Sequence, residues 1–194
     1  MTLLFATNND HKLREIKSMV DSSITLMSLA DINYTDDIAE TGDTLEENAM
    51  IKARTIYNLT GLSTFADDTG LEIECLGGEP GVKSARYAGE SKNMDDNIEK
   101  VLRLMAGETN RKARFRTVIA LIIEGREYSF EGIIGGTIIS EKRGSAGFGY
   151  DPVFIPEGKT ETFAEMTPGE KNRISHRSAA LSKLVHFLSD RHAQ

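Results

Sequence analysis

Six consecutive residues carry the most chemistry in this sequence: Phe65-Ala66-Asp67-Asp68-Thr69-Gly70. A short apolar segment runs into two adjacent carboxylates, a hydroxyl and a glycine. Neighbouring carboxylates repel, and burying either is costly unless a cation sits beside it. A hard divalent ion such as Mg²⁺ takes oxygen ligands and suits such a pair. A plain turn is the competing reading, because Asp, Thr and Gly all favour turns. In an extended strand successive side chains point to opposite faces, so Asp67 and Asp68 cannot do the same job in the same place.

Four other stretches could work with this pair. Ala6-Thr7-Asn8-Asn9-Asp10-His11-Lys12 joins a predicted strand to a predicted helix. Asn9 or Asp10 is a good N-cap, and the amides at a helix start attract anions. Thr7 and Asn9 add hydrogen-bonding groups and Lys12 a charge; the alternative is a capped helix with a surface lysine. In Ala39 to Ala49, Asp43 or Thr44 followed three residues later by Glu46 or Glu47 reads as a capping box. That leaves Glu40, outside the helix, as the preferred second metal carboxylate. Lys52 interrupts an apolar helical stripe, where it either snorkels to water or points at a phosphate. Glycines on both sides of Phe148 in Gly147-Phe148-Gly149-Tyr150-Asp151-Pro152 leave a ring open to a flat ligand, or make a turn around a core aromatic. Lys171-Asn172-Arg173-Ile174-Ser175-His176-Arg177 is either a solvated basic turn or a site for an anion or a base edge.

The elements that must position these groups follow from periodicity. Leu3 to Ala6, Ile24 to Leu29, Ser63 to Ala66 and Leu71 to Leu76 read as strands. His11 to Val20, Asp43 to Leu59, Met94 to Met105 and about His176 to Arg191 read as helices. Leu45, Ala49, Lys52, Ala53, Ile56 and Leu59 form the stripe of the second helix. Ala113 to Ile123 and Glu127 to Ile134 flank Glu124-Gly125-Arg126 as a hairpin, with Thr137 to Glu141 as a further strand and a glycine-rich loop from Gly144 to Gly149. Helices interleave with strands early and strands neighbour one another late. The expected fold is therefore α/β, a mixed central sheet flanked by helices.

The 194 residues suit one domain, or one domain with two lobes, spanning 1–194. With 39% hydrophobic and 27% charged residues the chain is expected to be an ordinary globular protein. The net charge of −7 disfavours a nucleic acid polymer as partner but not a small anion held by a few placed cations. No apolar run is long enough to span a bilayer, and the N-terminus lacks the pattern of a signal peptide. The single cysteine, Cys75, excludes an internal disulfide and a cysteine-based zinc site, and fits a reducing cytoplasm.

Together these stretches resemble the inosine triphosphate pyrophosphatase family. The resemblance lies in Thr7-x-Asn9-x-x-Lys12, Glu40-Thr41-Gly42, Glu47-Asn48-Ala49, Lys52-Ala53-Arg54 and Ala66-Asp67-Asp68-Thr69-Gly70-Leu71. It continues through Pro80-Gly81-Val82-x-Ser84-Ala85-Arg86-Tyr87-Ala88-Gly89, Gly147 to Pro152, and Lys171-x-x-x-Ser175-His176-Arg177. The pieces keep the family's order and span nearly the whole chain. Many members carry Gly where this chain has His11, which bears on the conformation of that loop.

The resemblance implies two lobes with the active site in the cleft between them, and a house-cleaning hydrolase of non-canonical purine nucleoside triphosphates (ITP, dITP, XTP). The reaction would give the monophosphate and pyrophosphate with one or more Mg²⁺ ions. It implies Asp68 as the base and a metal contact, and Glu40 as a second metal ligand. Lys12, Lys52 and Lys171 would hold phosphates, while Thr7, Asn8, Asn9, Asp10, His11 and Thr69 would contact the triphosphate and sugar. Phe148 would stack on the base, Gly149, Tyr150 and Asp151 would shape its pocket, and His176 and Arg177 would read the purine edge. Asp67 would orient the metal's water shell or the Lys52 ammonium. A homodimer is implied as well. A non-catalytic nucleotide sensor, a pyrophosphatase for other modified nucleotides and a plain interaction module are the competing functions.

Overall fold

The computed structural model describes residues 1–20 and 23–192. A six-stranded mixed sheet has the order β2-β1-β3-β4-β5-β6 and is flanked by helices. Its strands are β1 (Thr2–Phe5), β2 (Thr25–Ser28), β3 (Thr64–Ile73), β4 (Lys112–Ile123), β5 (Arg126–Ile138) and β6 (Phe154–Pro156). The helices are α1 (Asp10–Met19), α2 (Leu45–Thr60), α3 (Met94–Leu104), α4 (Pro168–Ile174) and α5 (His176–His192). β1 pairs in parallel with β2 and β3, and β6 is antiparallel to β5. β4 and β5 meet through Glu124 and Gly125, both with positive φ (52° and 71°), the turn whose twist matches paired strands.

The chain folds into two compact units. Unit 1 comprises Met1–Asp68, Thr117–Gly132 and Ser178–Gln194, and unit 2 comprises Thr69–Arg116 and Ile133–Arg177. Each has its own apolar core. In unit 1, Leu3, Phe5, Ile16, Phe65, Ile119 and Leu121 pack with Leu181, Leu184 and Leu188 of α5. Register sets Phe5 opposite Phe65, and their rings stack with centroids 4.5 Å apart. In unit 2, Leu71, Ile73, Ile98, Val101 and Phe115 pack with Tyr150, Phe154 and Phe163.

Sequence reading and structure differ in four places. β3 is one continuous strand, so Asp67 and Asp68 lie inside it rather than at a strand end. β5 likewise runs unbroken through Gly135 and Gly136 to Ile138. α4 and β6 were not anticipated, although Thr167 and Glu170 form a capping box at the start of α4 with Pro at its first turn. Leu59, placed on the inward stripe of α2 by spacing, is 63% exposed because that stripe turns outward in the last turn.

Two buried tyrosines give unit 2 an alkaline limit. The Tyr87 hydroxyl donates to Glu79 Oε2 at 2.8 Å. Burial first, then that hydrogen bond and the Glu79 charge, push its pKa up to about 12. Tyr150 donates to the Ser84 carbonyl at 2.9 Å, and burial with neighbouring Tyr87 moves it up as well. An unfolded tyrosine ionises near pH ~10. Between that value and the folded pKa, only the unfolded chain has lost its protons, so stability falls as pH rises. Thermal melts should show a flat midpoint below pH ~10 and a steady fall above it, with Tyr87→Phe making the fall shallower. An equally steep fall in Tyr87→Phe would remove Tyr87 from this account.

Candidate active site

In unit 1 the site is built on β3 and the two helices that meet it. Alternation along β3 sends Asp67 and Asp68 to different partners. Asp67 is fully buried, and its Oδ2 lies 3.1 Å from Lys12 Nζ, on the first turn of α1. Asp68 Oδ1 lies 3.2 Å from Lys52 Nζ, on α2. The same ammonium donates to Glu40 Oε1 at 2.6 Å, so Lys52 joins the two carboxylates expected to bind metal. Lys52 is buried and does not snorkel. The orienting partner of Asp67 is thus Lys12, while Asp68 and Glu40 are the carboxylates in contact with Lys52.

The electrostatics of this cluster are those of a partly compensated burial. Burial raises the Asp68 carboxyl above its ordinary value, assisted by Glu40 and Asp67, and outweighs the opposing pull of Lys52 and Lys12. For Lys52, burial alone pushes the pKa down, but the charges of Asp68, Glu40 and Asp67 overcome it and leave the ammonium more firmly protonated than usual. Asp68 Oδ2 is buried and has no hydrogen-bond partner. An orphaned carboxylate oxygen is the sort of atom a hard cation takes up. Among the described residues no three His, Cys, Asp or Glu side chains cluster as a metal cage. Two carboxylates nevertheless fit Mg²⁺, which is commonly held by one or two carboxylates plus waters and substrate phosphates.

The loop before α1 is largely self-satisfied. Thr7 Oγ1 accepts from the Asn9 amide at 3.2 Å. Asn9 Oδ1 accepts from the His11 and Lys12 amides at 3.0 and 3.2 Å, making it the N-cap. These two amides are therefore engaged by Asn9 rather than open to an anion. Asn8 donates to the Asp36 carbonyl at 3.0 Å, and the Asp10 carbonyl accepts from Arg14. His11 lies within the first turn of α1, outside the set of residues with positive φ, so a side chain replaces Gly there without backbone strain.

Unit 2 holds the other expected group. Asp151 organises it: Oδ2 accepts from Lys171 Nζ at 2.6 Å and from the Phe148 amide at 2.8 Å. Gly147 has φ +75°, and a Cβ there would lie 2.1 Å from Asp151 Oδ2, so only glycine lets the loop close on the carboxylate. Lys171 Nζ and the Arg177 guanidinium carbon lie 4.9 and 5.5 Å from the Phe148 ring centroid. Arg177 also donates to Thr69 Oγ1 at 3.2 Å. A cavity of ≈ 400 Å³ opens beside Phe148, lined by Asn93, Met94 and Ile98 of the α3 region and by Gly147 and Gly149. The Gly149 amide meets Met94 Sδ at 3.0 Å.

The basic run is not a solvated turn: Lys171, Ser175, His176 and Arg177 are all buried. Three of the expected site residues are placed as follows. Lys171 sits with Asp151 and Phe148 in unit 2. The His176 imidazole stacks face to face on Phe115, centroids 4.7 Å apart, in the aromatic core. Tyr150 is likewise a core residue. One residue, Asn48, entered the sequence reading only within the Glu47-Asn48-Ala49 stretch and was given no role. Asn48 is fully buried on α2, one turn before Lys52, and accepts from the Gly42 amide. Its signal was a polar side chain at i−4 from the buried lysine.

The Ham1 family model matches residues 3–187. A dITP/XTP pyrophosphatase of Christiangramia forsetii is 54% identical over 97% of this chain and 100% of that protein. One of Bacillus subtilis is 48% identical over 95% of this chain and 96% of its own length. The Staphylococcus aureus Ham1 protein superposes with a TM-score of 0.90 at 36% identity, covering 98% of this chain and 100% of that one.

Proposed function

The chain belongs to the Ham1 family, and we propose that it hydrolyses the non-canonical purine nucleotides dITP, ITP and XTP to monophosphate and pyrophosphate. The observation that carries this reading is the Glu40–Lys52–Asp68 cluster, with Lys52 and Asp68 buried and an Asp68 oxygen orphaned. Glu40 and Asp68 would hold Mg²⁺, which when bound neutralises charge on the phosphates and polarises them for attack. Asp68 takes the proton from the attacking water, a role suited by its raised pKa. Lys52 transfers its ammonium from the carboxylates to phosphate oxygens, and Lys12, oriented by Asp67, does the same. In unit 2, Phe148 offers a face to the base, and Lys171 and Arg177 supply donors beside it.

Purines with a carbonyl at C6 are accepted because these donors meet an acceptor. Adenine presents an amino donor there and would leave them unpaired, a mismatch that penalises ATP heavily. The enzyme acts as a cytoplasmic homodimer in this reading. Among the described residues no helix is long and apolar enough to cross a membrane.

Pyrophosphate release from dITP, ITP, XTP, GTP and ATP, with Mg²⁺ and with a chelator, tests the proposal. Metal-dependent release favouring dITP, ITP and XTP is expected. Nucleotide binding without release would make the protein a sensor, and preference for a pyrimidine would reject the purine reading.

A further inference from the structure

We infer that Asn48 is a positioning residue for Glu40, acting through the backbone of the loop that carries it. The inference rests on the reading of Glu40 as a metal ligand. Residues 33–44 form neither helix nor strand, so nothing in a sheet or helix ladder fixes Glu40. Side-chain ties hold the loop instead. Asn8 Nδ2 donates to the Asp36 carbonyl at 3.0 Å. The Asp43 and Thr44 amides donate to Glu47 Oε2 at 2.7 and 3.2 Å. The Gly42 amide, two residues from Glu40, donates to Asn48 Oδ1 at 2.8 Å. The first two ties are exposed, whereas Asn48 has no exposed surface.

Helical geometry explains why Asn48 is the decisive tie. Asn48 and Lys52 lie four residues apart on α2 and so share one face. Lys52 holds the Glu40 carboxylate at 2.6 Å, and Asn48 holds its backbone. One helix face thereby grips the loop at both points. Fit is tight: a Cβ on Gly42 would come within 2.6 Å of Glu47 Cβ and 2.9 Å of Asn48 Oδ1.

Asn48 also carries a burden that packing alone would not retain. Its Nδ2 is buried with no hydrogen-bond partner, and an unmade hydrogen bond of this kind is destabilising. Leucine has nearly the same shape and no such defect. A purely structural residue at this helix position, flanked by buried Leu45, Ala49 and Ala53, should be apolar. The amide is kept for its oxygen.

Four variants test this: Asn48→Leu, Asn48→Ala, Asn48→Asp and Glu40→Gln, with the double variant Asn48→Ala/Glu40→Gln. Asn48→Leu should melt no lower than the parent, yet hydrogen exchange across residues 39–43 should quicken. Its Mg²⁺ requirement for half-maximal pyrophosphate release should rise about tenfold, the usual effect of losing a group that orients a metal ligand. KM for dITP at saturating Mg²⁺ should stay within about twofold. Asn48→Asp keeps an acceptor at the Oδ1 position and should restore slow exchange and most of the Mg²⁺ response; Asn48→Ala should not. In the double variant the Mg²⁺ effect should be no larger than in Glu40→Gln alone, because both act through one carboxylate. Additive effects, unchanged exchange at 39–43, or Asn48→Asp behaving like Asn48→Ala would each overturn the inference. A parent protein that releases no pyrophosphate would instead reject the functional reading and leave the exchange result to judge the loop tie.

Discussion

Asp68→Asn should fold at least as well as the parent and turn over about a thousand times more slowly, the span expected for loss of a general base. The two halves of this result have one cause. Burial outweighs the neighbouring lysines and lifts the Asp68 carboxyl, so its ionised form is less comfortable here than in water. Asparagine removes that strain while keeping shape and an acceptor for Lys52. Lys52 retains Glu40 at 2.6 Å, so the substitution does not strand a buried cation. Catalysis fails because the amide cannot accept the proton of water or bind a cation as an anion does. Thermal melts and kcat for dITP decide the matter. A loss of folding stability of about 3–5 kcal/mol, typical of a broken buried pair, would assign Asp68 a structural role. A near-normal kcat would place the base elsewhere. Stability and activity moving in opposite directions is the signature of a site held in place for chemistry.

How far such a site could be read from sequence depended on how far apart its partners lie. The β4–β5 turn was legible because Glu124-Gly125 is local turn chemistry between two strand-like runs. The capping of α2 was also local: Thr44 and Glu47 exchange hydrogen bonds three residues apart. β3 was harder. Asp67-Asp68-Thr69-Gly70 is poor in strand formers, so propensity divided it in two. Its place in the sheet between β1 and β4, and an ammonium for each carboxylate, Lys12 for one and Lys52 for the other, hold it extended. The basic run from Lys171 to Arg177 looked exposed because its partners are remote: Asp151 is 20 residues from Lys171, and Thr69 is 108 from Arg177. Burial of charge is decided by such pairings, which no window of sequence contains. The tie made by Asn48 stayed hidden for a related reason. Its neighbour Glu47 explained the polarity of the helix start, and its own partner, Gly42, is invisible as a backbone amide.

Arg177 should govern choice of base rather than rate. It is among the largest fully buried side chains, and its guanidinium is pinned by Thr69 and laid against Phe148. A cation held this way has lost its freedom before any ligand arrives, so its donors meet a C6 carbonyl at little entropic cost. Arg177→Met keeps much of the aliphatic length and removes every donor. A hydrogen bond to a charged group contributes about 1.5–3 kcal/mol, so kcat/KM for dITP should fall roughly 10- to 150-fold. With dATP those donors face another donor and stabilise nothing, so its kcat/KM should change by less than about threefold. The ratio between the two substrates therefore narrows by one to two orders of magnitude, mostly through dITP. Thr69→Val removes the tether, so it should loosen Arg177 and narrow the ratio less, while any lost Thr69 contact to triphosphate or sugar lowers both substrates alike. If Arg177→Met slows both substrates equally, Arg177 is a structural strut of unit 2. The discriminating donor would then be Lys171, which Lys171→Met would show by narrowing the same ratio.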